Sequence, residues 1–379
     1  MSAIGIVGAG TAGLAAAALY ARAGHDVQVL ERAPNPGPVG AGLLLQPTGI
    51  GVLRRLGVLD EVAAGAARVS EVVGTTVGGR RFMDLAYAGL GEEVHGLGVH
   101  RGALFTALRG AAARAGAALL PGVEIVRRQD RTLIDAGGAR YGPYDRIVGA
   151  DGARSAMRRF LPVRARIHDH RWGALWGIFP DAAGSFDGRL DQYFDGASRM
   201  VGFLPTGAGA VSIFWSVRLD RIDAVRTAGV GAFRADLLSL APVAEPVLGG
   251  LTSMEQLMPA SYRQVSLPAW HDGTLVLVGD AAHALSPQLG QGANLALMDA
   301  AALVDAESLD AFEAARRAQA RFYGFGARAL NVVFQNDLDL AAWPRDRLMG
   351  PVSRMPWVRR RALEVLAGIA AGPFASIKT

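Results

Sequence analysis

A glycine-rich turn near the start of the sequence limits what this chain can fold into. The motif GAGTAG occupies residues 8–13, directly after an apolar stretch, Ala3 to Val7, that predicts a β-strand. Thr11 to Ala23 is rich in alanine and predicts a helix, and Val27 to Leu30 predicts a second strand that ends at Glu31. A strand, glycine turn, helix and strand within about 30 residues are typical of the parallel βαβ unit of a nucleotide-binding fold.

The three glycines of this motif have separate roles in binding a dinucleotide. Gly8 permits the tight turn, Gly10 lets the backbone approach a pyrophosphate, and Gly13 lets the helix pack closely on the strand. The helix N-terminus presents free N–H groups to the phosphates. The carboxylate of Glu31 can accept hydrogen bonds from both ribose hydroxyls of the adenosine half. The motif predicts a dinucleotide site, but it does not distinguish FAD from NAD.

A second glycine-rich cluster follows about 270 residues later. The apolar strand Leu275 to Val278 ends at Gly279 and Asp280, Pro287 forces a turn, and Gly290-Gln291-Gly292 starts a helix. The carboxylate can accept hydrogen bonds from the ribityl hydroxyls of FAD, and the helix N-terminus can stabilise the negative charge of a reduced flavin ring. An ordinary strand–loop–helix with glycines in its loop is the alternative. A dinucleotide held at both ends indicates a resident flavin more than a dissociating nicotinamide.

Several segments resemble the class A flavoprotein monooxygenases, the para-hydroxybenzoate hydroxylase type. Residues 279–300, GDAAHALSPQLGQGANLALMDA, are similar to the second FAD motif of that family, and residues 146–158, RIVGADGARSAMR, to its third motif. Four residues match the third motif: Asp151, Gly152, Ser155 and Arg158. Arg101 matches an arginine that reaches FAD in the family, and residues 40–42, GAG, resemble the segment beside the flavin ring. The resemblance covers nearly the whole chain.

The resemblance implies a reaction as well as a cofactor. In this family NAD(P)H reduces FAD, O₂ adds to the flavin, and a flavin hydroperoxide transfers one oxygen to an electron-rich ring while the other leaves as water. The chain is therefore expected to hydroxylate a small phenolic or heteroaromatic molecule. NAD(P)H is expected to dock transiently, since the sequence has no second GxGxxG motif. The alternatives are a related flavoenzyme that performs epoxidation or oxidative decarboxylation, and a non-catalytic flavin-binding protein.

The motifs and the resemblance together give a set of candidate cofactor residues. They are Gly8, Gly10, Ala12, Gly13, Glu31, Arg32, Gly42, Arg101, Asp151, Arg158, Asp280, Pro287, Gly290, Gly292, Ala293 and Asn294. Pro287 is expected to lie close to the flavin ring, where its role is to shape the site. His283 is a candidate for catalytic proton transfer, because histidine titrates near neutral pH; a structural histidine is the alternative.

Substrate contacts are expected from a region rich in aromatic and β-branched residues between residues 166 and 217. The candidates are Trp176, Gln192, Phe203 and Phe214, together with Gln46 on the N-terminal side. Because neighbouring residues of a strand point to opposite faces of a sheet, about half of the sheet residues must belong to the ordinary core.

These patterns predict an α/β protein with a discontinuous organisation. A Rossmann-like FAD-binding domain is expected to comprise residues 1–70, 99–165 and 268–335. An inserted antiparallel β-sheet substrate domain comprises residues 71–98 and 166–267, and a C-terminal helical segment comprises residues 336–379. The glycine-rich residues 88–98 are expected to be mobile. The link between the helices near Leu303 and Phe312 is shorter than is usual in the family.

Composition excludes several other classes of protein. The chain has 379 residues and no cysteine, which excludes disulfides and thiolate zinc sites, and its histidines show no metal-ligand spacing. The net charge of +5 comes without a nucleic-acid-reading motif, so a nucleic-acid partner is not expected. The apolar tract Leu14 to Ala23 is too short to span a membrane, and no charged signal region precedes it. A cytoplasmic location is expected, and the sequence does not indicate an oligomeric state.

Overall fold

The computed structural model describes residues 1–37 and 40–377. Residues 378 and 379 of the predicted C-terminal segment lie outside the described residues. The β-strands are β1 (Ala3–Val7), β2 (Asp26–Glu31), β3 (Gly42–Leu45), β4 (Ala67–Val69), β5 (Glu71–Thr76), β6 (Arg81–Ala86), β7 (Gly96–His100), β8 (Ala118–Pro121), β9 (Ile125–Gln129), β10 (Thr132–Asp135), β11 (Arg140–Tyr141), β12 (Arg146–Gly149), β13 (Arg166–Pro180), β14 (Arg189–Asp195), β15 (Arg199–Gly207), β16 (Ala210–Arg218), β17 (Met258–Ser266) and β18 (Leu275–Leu277).

The helices follow the same chain order. They are α1 (Thr11–Arg22), α2 (Pro47–Arg55), α3 (Leu59–Ala63), α4 (Arg101–Arg114), α5 (Ile222–Leu240), α6 (Glu245–Leu248), α7 (Asp280–His283), α8 (Gly292–Asp305), α9 (Leu309–Phe334), α10 (Gly350–Ser353) and α11 (Pro356–Leu366). In the described part of the chain, none of them combines the length and the apolar character that a bilayer crossing needs. The predicted α/β class is confirmed.

A parallel sheet with the strand order β18-β12-β1-β2-β8 forms the first half of the molecule. Helix α1 packs against α4 and α8, and its residues 12–20 are all buried. The alanines of that stretch let the helices approach closely. Because the strands are parallel, their carboxyl ends lie along one edge of the sheet, and this edge is where open α/β sheets bind ligands.

A seven-stranded sheet with the order β17-β13-β16-β15-β14-β5-β6 forms the second half. Its neighbouring strands are antiparallel, except that β14 pairs with β5 in parallel. One face packs on α5, which the sequence patterns did not indicate, and on the segment that follows it. The other face lies toward the parallel sheet. This grouping of strands supports the predicted division into domains, which stays a prediction.

A small sheet with the order β3-β7-β4 lies between the two halves. The expectation that residues 88–98 are simply mobile was wrong for their last part, because Gly96 begins β7. A β-carbon on Gly98 would lie 1.9 Å from the carbonyl oxygen of Pro205 on β15. The glycine therefore provides close packing between the small sheet and the large one, and it does not provide flexibility.

Residues near the end of the chain fold back on the first half. The link from α8 to α9 is only Ala306 to Ser308, and the Ser308 side chain accepts a hydrogen bond from the backbone N–H of Ala311. After α11, the backbone carbonyl of Leu366 accepts a hydrogen bond from the side chain of Gln291 at 2.7 Å. The short link is thus a capped turn, and the C-terminal segment supports the loop that precedes α8.

The two faces of the seven-stranded sheet separate two residues that the sequence analysis grouped together. Phe203 lies on the face that packs on α5, where its ring stacks on Phe186 with centroids 4.2 Å apart. Phe214 lies on the opposite face, since its neighbour Ile213 is the residue that pairs with Phe203. The alternation of the strand places Phe203 in the core, so the structure gives no support to a substrate contact, which stays a prediction.

Replacing Phe203 by alanine is expected to lower the free energy of unfolding by about 3–5 kcal/mol, because a fully buried ring leaves a cavity. The matched control is Phe214→Ala on the half-buried face, which is expected to cost clearly less. Urea unfolding followed by circular dichroism measures both variants. Equal losses of stability would contradict the assignment of the two faces.

Candidate active site

The GAGTAG turn lies at the carboxyl end of β1 and touches the third motif directly. Gly8 has φ +105°, and a β-carbon there would lie 2.5 Å from the carbonyl oxygen of Ala150. A β-carbon on Gly13 would lie 1.9 Å from the carbonyl oxygen of Gly8. Larger residues at either position would force the turn away from β12 or from its own helix. The glycines therefore fix the position of the turn, as the motif predicts.

The space in front of this turn is open and suited to an anion. If a β-carbon were added to Gly10, the nearest atom of a residue outside the turn would be the carbonyl oxygen of Ala150, 4.0 Å away. No side chain caps the N-terminus of α1, so its first N–H groups are left for a ligand. The Glu31 carboxylate accepts hydrogen bonds from the backbone N–H groups of Ala9 (2.7 Å) and Ala33 (2.8 Å), and the exposed Arg32 lies beside it. Glu31 thus lies at the same sheet edge as the turn, where the ribose is expected.

The second glycine cluster forms the other end of this cleft. Gly279 has φ +56°, and a β-carbon there would lie 3.2 Å from both Ala12 on α1 and Ala296 on α8. Asp280 follows with its side chain exposed in the cleft, 4.0 Å from the position of a β-carbon on Gly292. Close packing of α1 on α8 thus aligns both helix N-termini on one cleft.

The N-terminus of α8 is suited to bind a flavin ring. No side chain caps its N-terminus, and Ala293 lies partly exposed in its first turn. Pro287 and Gly290 are exposed in the loop that precedes the helix. The donor set fits FAD on these observations, because one uncapped helix N-terminus serves the pyrophosphate and a second serves the ring.

Residues 40–42 connect the cleft to the seven-stranded sheet. The backbone N–H of Arg101 donates to the carbonyl of Ala41 at 2.9 Å, and the exposed side chain of Arg101 borders Gly40. The backbone N–H of Gly42 donates to Oγ of Ser212 at 3.2 Å, and a β-carbon on Gly42 would lie 2.5 Å from that side chain. The ring end of the cleft therefore abuts the sheet face that carries Ser212.

Arg158 does not reach the cleft. Its guanidinium is buried and donates to the backbone carbonyls of Gly152, Ala153, Asp280 and Ala281. Its N–H groups join the third motif to the second, and a contact of this side chain with cofactor stays a prediction. Asp151 is also engaged: its Oδ2 accepts hydrogen bonds from the backbone N–H groups of Ala156 and Met157.

The Asn294 side chain likewise forms hydrogen bonds between segments of the protein. Its side chain is fully buried, its Oδ1 accepts from the backbone N–H of Gln46 at 2.8 Å, and its Nδ2 donates to the carbonyls of Leu44 and Gly290. Its role as a donor to the flavin stays a prediction, since both of its side-chain nitrogen contacts are with backbone carbonyls of the protein. It holds β3 against the loop before α8, which sets the width of the cleft at the ring end.

His283 belongs to a buried ion network and not to the cleft. Its Nε2 lies 2.6 Å from Oδ2 of Asp299, whose Oδ1 accepts from Nε of Arg316 at 2.8 Å. Asp299 also accepts from the backbone N–H of Gly279 at 2.9 Å. Burial raises the pKa of Asp299, but the charges of His283 and Arg316 and their hydrogen bonds lower it further, to about 2. The structure supports the structural alternative for His283.

The sequence analysis did not single out Asp299 or Arg316. Asp299 lies within residues 279–300, and an aspartate flanked on both sides by apolar residues, 295–298 and 300–304, is the signal that could have found it. Nothing in the local sequence of α9 marks Arg316 as its partner, because the pairing is made by the packing of α9 on α8.

Three substrate candidates share one face of the seven-stranded sheet. Gln192, Gly202, Phe214 and Trp176 pair in register across β14, β15, β16 and β13. Directly paired residues point to the same face, and Ser212, two residues from Phe214, points there as well. Because Ser212 contacts Gly42, this face borders the ring end of the cleft.

Gln46 approaches the same place from the N-terminal half. It directly precedes α2, is fully buried, and its Oε1 accepts a hydrogen bond from the hydroxyl of Tyr87 at 2.5 Å. Its Nε2 has no hydrogen-bond partner. Phe214 packs against the apolar cluster that contains Tyr87 and Leu44.

Gly10→Val is expected to lower the affinity for FAD at least a hundredfold while the protein stays folded. Gly10 has ordinary extended backbone angles, so valine fits the chain but projects into the space where the pyrophosphate is expected. Fluorescence titration with FAD measures the affinity. The control is Gly51→Val on α2, where a side chain would also meet open space. An unchanged FAD affinity in Gly10→Val would rule out this path for the cofactor.

Asp299→Asn is expected to lower the free energy of unfolding by about 3–5 kcal/mol, because it leaves the buried charge of Arg316 without a partner. The control, Asp305→Asn, breaks an exposed pair with Arg55 and is expected to cost at most about 1 kcal/mol.

The stabilisation by Asp299 has a defined pH dependence. Its folded pKa of about 2 lies below the ordinary value of 3.8, so the stabilisation is complete above about pH 4 and is lost as the pH falls toward 2. Urea unfolding at pH 7 and at pH 3 measures the effect. A wild-type advantage over Asp299→Asn that grows at pH 3 would show that the sign is wrong.

Comparison with known proteins agrees with this geometry. A family model described as "FAD binding domain" matches residues 1–306. The 3-amino-4-hydroxybenzoate 2-monooxygenase of Streptomyces cremeus is 31% identical over 315 residues, which cover 79% of this chain and 77% of that protein. The kynurenine 3-monooxygenase of Xanthomonas axonopodis pv. citri is 32% identical over 383 residues, which cover 91% and 80%.

A solved structure shows the same fold. A variant of Klebsiella pneumoniae HpxO complexed with FAD superposes with a TM-score of 0.82 at 19% identity, covering 99% of this chain and 100% of that one. The resemblance given by the sequence motifs is confirmed by the family match and by both relatives. The chain therefore belongs to the FAD-binding family of the class A flavoprotein monooxygenases.

Proposed function

We propose that this chain is an FAD-dependent monooxygenase that uses NAD(P)H and O₂ to hydroxylate a small aromatic molecule. The observation that carries the proposal is one cleft with an uncapped helix N-terminus at each end, the second of which lies next to an aromatic sheet face. FAD supplies the electron transfer and the oxygen chemistry when it is bound. The protein supplies binding, orientation and exclusion of water.

The first task of the chain is to hold the cofactor. The N-terminus of α1 would hold the pyrophosphate, Glu31 would bind the ribose, and Asp280 would accept hydrogen bonds from the ribityl hydroxyls. The N-terminus of α8 stabilises negative charge at the ring, and this stabilisation is largest in the reduced state. The exposed Arg101 adds positive charge to the same cleft.

The second task is to position the substrate and limit access of water. Phe214 lies between two junctions that connect the sheet to the flavin half. Ser212 contacts Gly42 on one side. On the other side, Oγ of Ser216 accepts from Gln335 at 2.8 Å, and Oε1 of Gln335 accepts from Gln288 at 3.0 Å, in the loop that follows Pro287. We propose that the substrate ring binds between these junctions and stacks on the half-buried ring of Phe214.

In this arrangement NAD(P)H needs no separate nucleotide-binding domain. The sequence has one GxGxxG motif, so NAD(P)H is proposed to meet the flavin transiently at the open side of the cleft. Because NAD(P)H is a cytoplasmic metabolite, we propose that the enzyme works in the cytoplasm. Both named relatives are monooxygenases of aromatic compounds by their names, which supports hydroxylation over epoxidation or decarboxylation.

The protein loaded with FAD is expected to oxidise NADPH or NADH faster when a suitable aromatic compound is present, and to consume O₂ in proportion. With ¹⁸O₂, mass spectrometry is expected to find one ¹⁸O atom in the product and an intact carbon skeleton. The Gly10→Val variant is the control for reaction without bound cofactor. A yellow protein that never oxidises NAD(P)H with any member of an aromatic panel would instead support a non-catalytic flavin protein.

A further inference from the structure

We propose that residues 340–357 bind the surface of a lipid bilayer that contains anionic lipids, and that they attach the protein to one leaflet of a membrane. The inference goes beyond the proposed function and does not depend on it. It concerns a surface along the edge of the seven-stranded sheet, and none of the candidate cofactor or substrate residues belongs to that surface.

Large apolar side chains are concentrated on the surface of this segment. Six of the sixteen large hydrophobic residues that the described part of the chain exposes lie within residues 340–357. They are Leu340, Trp343, Leu348, Val352, Met355 and Trp357. The exposed fraction reaches 83% for Leu340 and 70% for Trp357. Single exposed apolar residues are ordinary on a protein surface, but a continuous group of them marks an interaction site.

The exposed positions follow the spacing of one helix face. Residues 343–353 form consecutive helical turns, and the exposed positions within them are 343, 344, 347, 348, 351 and 352. Positions that recur at every fourth residue of a helix share one side. The chain then continues through the exposed Met355 to Trp357 at the start of α11. We call the exposed side of residues 340–357 the outer face.

The inner side of the segment binds the protein through polar groups. The guanidinium of Arg345 is buried and donates to the backbone carbonyls of Gly196 and Val333. A β-carbon on Gly350 would lie 3.4 Å from the carbonyl oxygen of Arg81 on β6, which is an edge strand of the seven-stranded sheet. The segment thus covers the edge of that sheet. This role accounts for the inner side, but it does not require apolar residues on the outer face.

The arginines of the outer face provide positive charge. Arg347 and Arg354 are exposed, as is Arg359 just beyond Trp357, and they form no ion pair with the described residues. The acidic residues between positions 337 and 364 already have partners, in Asp337 with Arg218, Asp339 with Ser198, Asp346 with Arg345 and Glu364 with Arg361. The outer face therefore combines apolar side chains with guanidinium groups that lack a countercharge.

Charged groups of the neighbouring elements do not reverse this sign. Glu92 and Glu93 are exposed, and the turn that precedes them contacts α11 at Leu363, beyond the last residue of the outer face. On the side of β6, the exposed Arg80 donates to the backbone carbonyl of Asp346 and adds positive charge. With these neighbours included, four arginines stand against two carboxylates.

An anionic bilayer accounts for both properties of the outer face. Tryptophan is enriched at the boundary between headgroups and acyl chains, and arginine packs its stem on apolar groups while its charge stays in water or among the headgroups. Anionic headgroups supply the missing countercharge. Because the inner side of the segment is fixed to β6, the segment lies along the bilayer surface with its apolar side chains inserted into one leaflet.

A second copy of the chain fits the outer face less well. In a two-fold symmetric dimer the same surface of both copies meets. The guanidinium groups of Arg347 and Arg354 would then be buried with those of the second copy, and no carboxylate of the segment is left to pair with them. Burying unpaired charges is strongly unfavourable.

Sedimentation with vesicles tests the proposal. The purified protein, with FAD added, is mixed with vesicles of phosphatidylcholine alone or of phosphatidylcholine with phosphatidylglycerol. Binding to the mixed vesicles is expected to be roughly tenfold tighter or more, and to weaken as the salt concentration rises. Absence of binding to the mixed vesicles, or equal binding to both kinds, would overturn the proposal.

The apolar contribution is tested by a double substitution at the two tryptophans. Trp343→Ser with Trp357→Ser is expected to weaken binding to the mixed vesicles about tenfold or more, because both side chains lose their place at the interface. The matched control is Ile167→Ser with Met258→Ser, at exposed positions on β13 and β17 at the opposite edge of the sheet, and it is expected to leave binding unchanged. Equal losses in both variants would show that the outer face does not bind the bilayer.

The contribution of charge is tested in the same way. Arg347→Gln with Arg354→Gln is expected to weaken binding to the mixed vesicles about tenfold or more, since an arginine near an anionic surface contributes about fivefold. Arg127→Gln with Arg221→Gln removes the same charge from exposed positions elsewhere and is the control. A control that loses as much binding would show that only the net charge of the protein matters.

Analytical ultracentrifugation without lipid separates the bilayer from a second copy as the occupant. The oligomeric state is expected to be the same in the unmodified protein and in Trp343→Ser with Trp357→Ser. An oligomer that dissociates in this variant would assign the outer face to contact between copies of the chain and overturn the proposal. Circular dichroism confirms that the variants are folded, which is expected because all substituted residues are exposed.

Discussion

The arrangement of the flavin end of the cleft depends on one buried carboxylate. Asp299 accepts a hydrogen bond from Gly279, which follows the edge strand β18, and pairs with His283 on the next short helix and with Arg316 on α9. A single acidic group thus holds the second glycine motif, α8 and α9 together in an apolar interior. Burying three ionisable groups has an unfavourable desolvation free energy. It is offset here because each oxygen of the Asp299 carboxylate has a hydrogen-bond partner. The same α9 then extends to the substrate sheet, so the alignment of cofactor and substrate sites starts from this network.

The two halves of the molecule meet through short polar contacts and glycines, and beside Ser216 the guanidinium of Arg218 pairs with Asp337 at 2.7 Å. Gly42 and Gly98 allow the backbone of the small sheet to touch the large one, and Ser212 and Ser216 supply the hydrogen bonds on either side of Phe214. The contacts between the halves are therefore few and specific, and they fix the position of the sheet face that carries Phe214 relative to the cleft.

The sequence predicted the parts of the fold whose signals are local. The βαβ unit, the glycine motifs and the order of the segments could be found because each depends on neighbouring residues. Arg158, Asn294 and His283 were assigned to cofactor or catalysis, yet they bind the protein itself, because their partners lie far away in sequence. Phe203 was grouped with Phe214 for another reason: alternation along a strand shows that two faces exist but does not show which of them packs on α5. The glycine-rich sequence around Gly96 and Gly98 suggested flexibility. In the structure both glycines belong to β7, and Gly98 lets this strand pack closely against the backbone of β15.

The hydrogen bond from Gln291 to the carbonyl of Leu366 has a consequence for how the holoenzyme is made. The loop that precedes α8 is supported by a residue that lies 75 positions further along the chain. While the ribosome is still translating this stretch, the adenosine half of the cleft can already form, but the isoalloxazine end lacks its support. The contact that supports this loop therefore cannot form before residue 366 has been synthesised.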